Sequence, residues 1–162
     1  EEASEACATW REQAEDYAVA LAADVVMLVG TKAAPMSPDE RVPFGLEHPI
    51  DSIVQSGSQV ILIRDNPRFD FDMYRCWEES EPEGGCEVEV SAVLAEDDPA
   101  ADLAREGAVY SIDLTEFVCP DGVCMPVVGN VAVFLDDTHL SASYAASLSP
   151  AVAGCAAPVD PG

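Results

Sequence analysis

The sequence predicts an α/β fold, a three-layer sandwich around a mostly parallel sheet, and three observations carry that prediction. Residues 24–30, 59–64 and 108–112 are short apolar, β-branched runs of strand length, without the polar alternation of a half-exposed strand. Segments with helical periodicity stand between them, so that strand and helix alternate along the chain. Parallel strands joined by right-handed crossovers satisfy that alternation, and such sheets carry their chemistry beyond the C-terminal ends of the strands.

Taken in order, Ser4 caps a helix expected through about Ala23, with Ala6, Trp10, Ala14, Tyr17, Ala18 and Leu21 recurring along one face that packs on something apolar. Asp24 to Gly30 follows as a strand covered on both faces. Thr31 to Pro43 is rich in Pro, Ser and charge, and a helix around Leu46 to Ser56 then ends at Gly57. Gln59 to Arg64 is the second buried strand. Residues 65–86 read as a long functional loop, limited by a disulfide. A helix is expected over Glu87 to Glu106, broken near Pro99, before the third strand at Ala108 to Ile112. Val127 to Phe134 reads as a hairpin turning at Gly129-Asn130, and Ser141 to Ala153 as the closing helix. The expected organisation is one domain over residues 1–154 and a flexible tail over 155–162.

With 162 residues, 49% of them hydrophobic, the chain is long enough for one domain with its own core. It has no apolar run of transmembrane length, and its first residues lack the basic start and apolar stretch of a signal peptide. Seven basic against 31 acidic residues give a formal charge of −24, which repels phosphate backbones and counts against nucleic acid as a partner. The carboxylates are spread along the chain, so a solvated acidic surface is expected rather than a cation site.

Six cysteines are many for a reducing compartment. Cys76 with Cys86, and Cys119 with Cys124, lie close in sequence with Pro, Gly and acidic residues between them, and read as disulfides. Cys7 and Cys155 join each other, or Cys7 pairs with a residue upstream. Zinc would call for short Cys-x2-Cys or His-x3-His pairs, and neither His48 nor His139 completes one, so no metal and no cofactor is expected. A redox role for Cys119 and Cys124 is disfavoured because such motifs place two residues, not four, between the cysteines.

The most informative segment is Phe134-Leu135-Asp136-Asp137-Thr138-His139-Leu140-Ser141. It sets a carboxylate three residues before a histidine, in a loop between an apolar run and a helix. A carboxylate on Nδ1 holds an imidazole in one tautomer and stabilises the imidazolium that forms when the ring acts as a general base. Asp136 and His139 are assigned those roles; Asp137 points away in most turns and suits a helix end. Asn66 or Arg68, at the C-terminal end of the second strand, is a candidate substrate-binding residue, although Asp65 to Arg68 also reads as a plain Asx-type turn. Phe69-Asp70-Phe71-Asp72 lacks the glycine and distal glutamate of a calcium loop.

Several blocks together resemble the SGNH (GDSL-like) hydrolase domain, of flavodoxin-like architecture, found fused to membrane acyltransferases of the acyltransferase-3 family. They are Cys7-x-x-Trp10-Arg11, the Asp24-Val25-Val26 strand, Arg64-Asp65-Asn66-Pro67, Cys119-Pro-Asp-Gly-Val-Cys124 and Asp136-Asp-Thr-His139-Leu-Ser141. The resemblance implies a Ser-His-Asp triad with its serine in a Gly-Asp-Ser motif after the first strand, and a substrate-binding oxyanion donor for which Gly30 or Thr31 stands in the expected place. No Gly-Asp-Ser occurs in residues 1–162, and Gly57-Ser58 precedes a strand. The expectation is therefore that the first strand and the serine lie outside these residues, and that this chain by itself is inactive. By the same resemblance, the partners expected are an acyl donor, a cell-envelope glycan acceptor and a membrane acyltransferase domain in the same protein, at the cell surface or in a periplasm-like space. The alternative is a non-catalytic extracellular α/β module that binds glycans or a membrane protein.

Overall fold

The structure, a computed structural model, describes residues 5–80 and 84–156. From the N-terminus the chain forms α1 (Glu5–Leu21), β1 (Val25–Val29), a hairpin of β2 (Lys32–Ala34) and β3 (Ser37–Arg41), α2 (Glu47–Gln55), β4 (Gln59–Ile63) and α3 (Met73–Ser80). It continues through β5 (Val88–Glu89), β6 (Val109–Ile112), α4 (Thr115–Val118), β7 (Val123–Cys124), a hairpin of β8 (Val127–Val128) and β9 (Val131–Ala132), α5 (Ala142–Ser147) and α6 (Ser149–Ala156).

The three apolar runs form one parallel sheet in the order β1-β4-β6, in register from Val25↔Gln59 and Val60↔Val109. Helices surround it, which is the mixed α/β architecture expected. Side chains alternate across the sheet, so Val26, Leu28, Val60, Leu62 and Val109 share one face and pack with Ile50 and Ile53 of α2 and Ala18 and Val19 of α1. Ile50, Ile53, Val60 and Leu62 are 0% to 1% exposed, each contributing about 1.5–3 kcal/mol by leaving water. Gly57, at φ 97, ends α2 in a conformation a β-carbon disfavours.

The other face is covered unevenly. Ile61 and Ile112 are buried there and α6 lies against β6, but Met27 and Val29 of β1 are 48% and 60% exposed. The expectation that β1 is covered on both faces is thus wrong: its apolar composition was legible, its position at the sheet edge was not. The stripe of α1 carries a matching correction, since Trp10, Tyr17 and Leu21 are exposed and only the flank with Ala18 and Val19 meets the core.

A second core sits beyond the C-terminal ends of the strands, built on Phe69, Met73, Val93, Val118, Val133, Phe134, Tyr144 and Leu148. Phe69 and Phe134 meet edge to face with centroids 4.9 Å apart. Cys119–Cys124 is bonded in this core, and Cys76–Cys86 joins α3 to the segment before β5.

Other elements depart from expectation for local reasons. The expected helix over Glu87 to Glu106 is absent: β5 pairs with β7, and only two single 3-10 turns, Val90–Ala92 and Ala101–Leu103, follow. Pairing beside a disulfide-held turn, and an Asx turn in which Asp98 accepts from Ala100 N around Pro99, outcompete helical periodicity. Within the long loop, α3 forms because Asp72 accepts from Arg75 N at 2.8 Å and Met73 drops into the core. The charged stretch after Thr31 is a hairpin, and the closing helix is split at Leu148, just before Pro150. Ser4 and residues 157–162 of the expected tail lie outside the described residues, as does the side chain of Cys155, and with it the expected alternatives for Cys7.

Candidate functional site

The candidate site is a tight loop that the second core holds up from below. Buried Val133 and Phe134 enter it and Leu140 and Ser141 leave it, with Ser141 N donating to Val133 O and Leu135 N to His139 O, both at 2.8 Å. Ser141 then caps α5 by accepting from Tyr144 N. Five residues are left to turn, and Asp136 organises them: its Oδ1 accepts from Thr138 N and His139 N, both at 2.8 Å. An Asx residue bonding forward in this way is what the Asp-x-x-His spacing encodes.

The same carboxylate receives the imidazole. Asp136 Oδ2 lies 2.9 Å from His139 Nδ1, with Thr138 Oγ1 at 3.0 Å from that nitrogen. The backbone N–H of Thr138 first, with the ring and N–H of His139 adding to it, outweighs the opposing desolvation and holds the Asp136 carboxyl at a pKa of about 2. It therefore stays an anion that accepts Nδ1–H. The His139 side chain is 73% exposed and its Nε2 meets no partner among the described residues. That leaves the Nε2 lone pair facing outward, the arrangement a general base requires.

Asn66, at the C-terminal end of β4, is brought to this loop. Its Nδ2 donates to Thr138 O at 2.6 Å, and Phe69 N donates to Asp137 O at 2.8 Å. Asp65 anchors the segment, its Oδ2 accepting from Ala33 N and Arg68 Nε. Asn66 thus ties the Asp136 loop to the sheet, across 72 residues of sequence that no local pattern spans.

Gly30 is placed differently. It is buried, its N–H donates to Ile63 O at 2.8 Å, and a β-carbon there would come within 2.9 Å of Ala100 Cβ. With that N–H engaged, the residue permits close packing between β1, β4 and the segment at Ala100, and offers no free donor in this arrangement.

Sequence reasoning missed a buried charge cluster nearby. Arg64, 4% exposed in its side chain, bonds Glu40 through Nη2 at 2.7 Å and through Nε, Asp113 through Nη1 at 2.8 Å, and Ala95 O. Burial alone lowers the guanidinium's pKa, but the bonds to Glu40 and Asp113 outweigh it and raise the value. Thr31 Oγ1 completes the node on Glu40 at 2.6 Å. A surface cleft of about 880 Å³ opens beside it, lined by Arg64, Glu89, Glu96, Asp113 and Glu116, and does not reach His139. With its cation spent on the buried Glu40 and the half-exposed Asp113, this node is structural. Among the described residues no group of three or more His, Cys, Asp or Glu is placed to hold a metal.

No serine, threonine or cysteine among the described residues bonds His139 Nε2. Ser141 Oγ is committed to Ala132 O and Tyr144 N, and Ser58 is 4% exposed at the start of β4. No helix among the described residues is long and apolar enough to cross a membrane. No curated protein and no solved structure matches the chain. Its sequence does match a family model, that of the SGNH domain fused to AT3 domains, over residues 1–154, and the chain therefore belongs to that family of acyl-modifying hydrolase and acyltransferase modules.

Proposed function

We propose that this chain is the histidine–aspartate half of an extracytoplasmic serine acyl-transfer domain. It acts on acyl groups, acetyl by preference, of cell-envelope glycans, next to a membrane acyltransferase domain of the same protein. The observation that carries the reading is Asp136 Oδ2 at 2.9 Å from His139 Nδ1 with Nε2 turned outward. Membership of the SGNH family fused to AT3 domains supports the reaction class and the neighbouring domain. The Cys76–Cys86 and Cys119–Cys124 disulfides support an oxidising compartment.

The serine, in this reading, comes from a segment outside these 162 residues that adds to the sheet at β1. Two features favour that place. β1 is an edge strand whose Met27 and Val29 are exposed, and unprotected apolar edges recruit strands. α1 packs on α2 and shows Trp10, Tyr17 and Leu21 to solvent, a second apolar surface for such a segment to cover.

The chemistry is then standard acyl transfer. His139 Nε2 removes the serine proton as Oγ attacks the acyl carbonyl, and Asp136 stabilises the imidazolium. Collapse of the tetrahedral intermediate expels the donor's alkoxide, which takes the proton from Nε2, leaving an acyl-serine. A sugar hydroxyl or water gives its proton to Nε2 as it attacks that ester, and the serine is released with its proton restored.

The test is labelling of the intact protein with a fluorophosphonate ester, which phosphonylates a serine activated by histidine. Labelling of one serine, lost in His139→Ala, is the expected result. An intact protein that neither labels nor cleaves a phenyl acetate is a non-catalytic module, and the proposal fails.

A further inference from the structure

One cleft breaks with the acidic character of the rest of the molecule. It is an open cleft of about 530 Å³, lined by Tyr74 and Trp77 of α3 and by Val127, Gly129, Asn130 and Ala132 of the β8–β9 hairpin. None of these residues is charged, in a chain that carries 31 acidic and 7 basic ones.

The two rings form a continuous bent wall, with centroids 5.7 Å apart and planes 38° from each other. Both are half-buried, on a helix fixed at three points: the Asp72 cap, Met73 in the core, and Cys76 bonded to Cys86 between the two aromatic positions. A ligand meeting this wall orders little of the protein, which lowers the cost of binding. The Tyr74 hydroxyl, the Trp77 indole N–H and the Asn130 amide make no hydrogen bond with other described residues, so each is free to bond a ligand.

Aromatic rings and unbonded polar groups in one uncharged lining match a molecule that carries both C–H faces and hydroxyls, which is a pyranose ring. An anionic ligand meets a net charge of −24, and a cationic one finds no carboxylate in the lining. A wholly apolar ligand leaves the three polar groups without partners. A neutral sugar satisfies all of them.

The cleft is also joined to the His139 loop. Ala132 O, at its border, accepts from Ser141 Oγ at 2.5 Å, and the chain from Ala132 to Asp136 spans at most about 14 Å. That distance is bridged by a short run of linked sugars. Resting on the acyl-transfer reading above, we infer that Tyr74, Trp77 and Asn130 form an acceptor subsite that holds a neutral pyranose of the same glycan whose hydroxyl is presented at His139.

Saturation-transfer NMR on the intact protein, with chitotetraose and cellotetraose as probes, tests this without any turnover. The expected result is transfer to the ring C–H protons of at least one probe. Trp77→Ala and Tyr74→Ala should each weaken binding about fivefold or more, Trp77→Phe should retain most of it, and Asn130→Ala, on the exposed hairpin tip, should weaken it severalfold without touching the core. His139→Ala should leave binding unchanged while abolishing fluorophosphonate labelling, which separates this inference from the catalytic one. Transfer to neither sugar, or binding indifferent to Trp77→Ala and Asn130→Ala, overturns the subsite even where the serine labels.

Discussion

The Arg64 node and the Asp136 loop are both built on a carboxylate held by a cation or a cation-forming ring, yet they differ in every property that decides use. Arg64 and Glu40 are 4% and 0% exposed in their side chains, and each donor of the guanidinium's fork that could reach a partner has done so. His139 is 73% exposed and keeps one ring nitrogen unspent. A buried pair without spare valence locks a fold, because losing either member strands a charge. A half-exposed pair on an anchored turn has bonding capacity left over for a reaction. Perturbed charge alone does not tell a site from a strut; the unspent donor or acceptor does.

That contrast predicts opposite losses in the two places. The largest expected effect is on turnover: Asp136→Asn keeps acceptors for the two backbone N–H groups but presents the wrong partner to Nδ1, and activity of the intact protein should fall by about 10⁴. Chemical denaturation should move little, by about 1 kcal/mol. A folded Asp136→Asn protein with full esterase activity breaks the contrast.

Next comes Arg64→Ala, which leaves Glu40 uncompensated in the interior. Unfolding free energy should drop by about 3–5 kcal/mol, read from urea or thermal curves. If the protein loses activity in proportion to its folded fraction alone, the node is confirmed as structural; a stable but inactive Arg64→Ala protein reverses its role.

Asn66 joins the two regions, and its loss should be intermediate. Asn66→Ala removes the 2.6 Å bond to Thr138 O, at a cost of about 1 kcal/mol in stability. Because the loop carries the proposed base, kcat should fall about tenfold with KM nearly unchanged. A change confined to KM would place Asn66 on the substrate instead.

The smallest effect is a pH dependence. The Asp136 carboxyl is lowered from 3.8 to about 2 in the folded protein. It therefore contributes stability that is fully present above pH of about 3.8 and is lost as pH falls through about 2. The contribution is small, because 37% of the side chain is exposed. Denaturation curves of wild type and Asp136→Asn should differ at pH of about 5 and converge toward pH of about 2; a gap that widens on acidification contradicts the assignment.

Much of the site was legible because it is local. Asp136 and His139 are three residues apart, and one turn brings them together. The same holds for Cys119 and Cys124, separated by five positions. Asn66 was noticed for its place after a strand, but its contact with Thr138 lies 72 residues away and no spacing rule reaches it. Thr31, Glu40, Arg64 and Asp113 are likewise distant in sequence, and nothing in their local patterns marked them as partners. α3 was read as loop because its acidic and aromatic residues obscure the period, and Met73 makes it amphipathic only once a core stands beneath it.

By itself the sequence determined the three strands, their parallel class, the hairpin at Gly129-Asn130, and an Asp-His turn. Each follows from short-range sterics, from burial of contiguous apolar runs, or from simple electrostatics, all properties of neighbouring residues. The tertiary structure alone decided that β1 is an edge, that Tyr74 and Trp77 face a hairpin to make an uncharged cleft, and that one arginine closes a node across the sheet. Those outcomes depend on which surfaces meet after the chain has closed on itself, and that pairing is set by the competition for burial among distant segments rather than by any one of them.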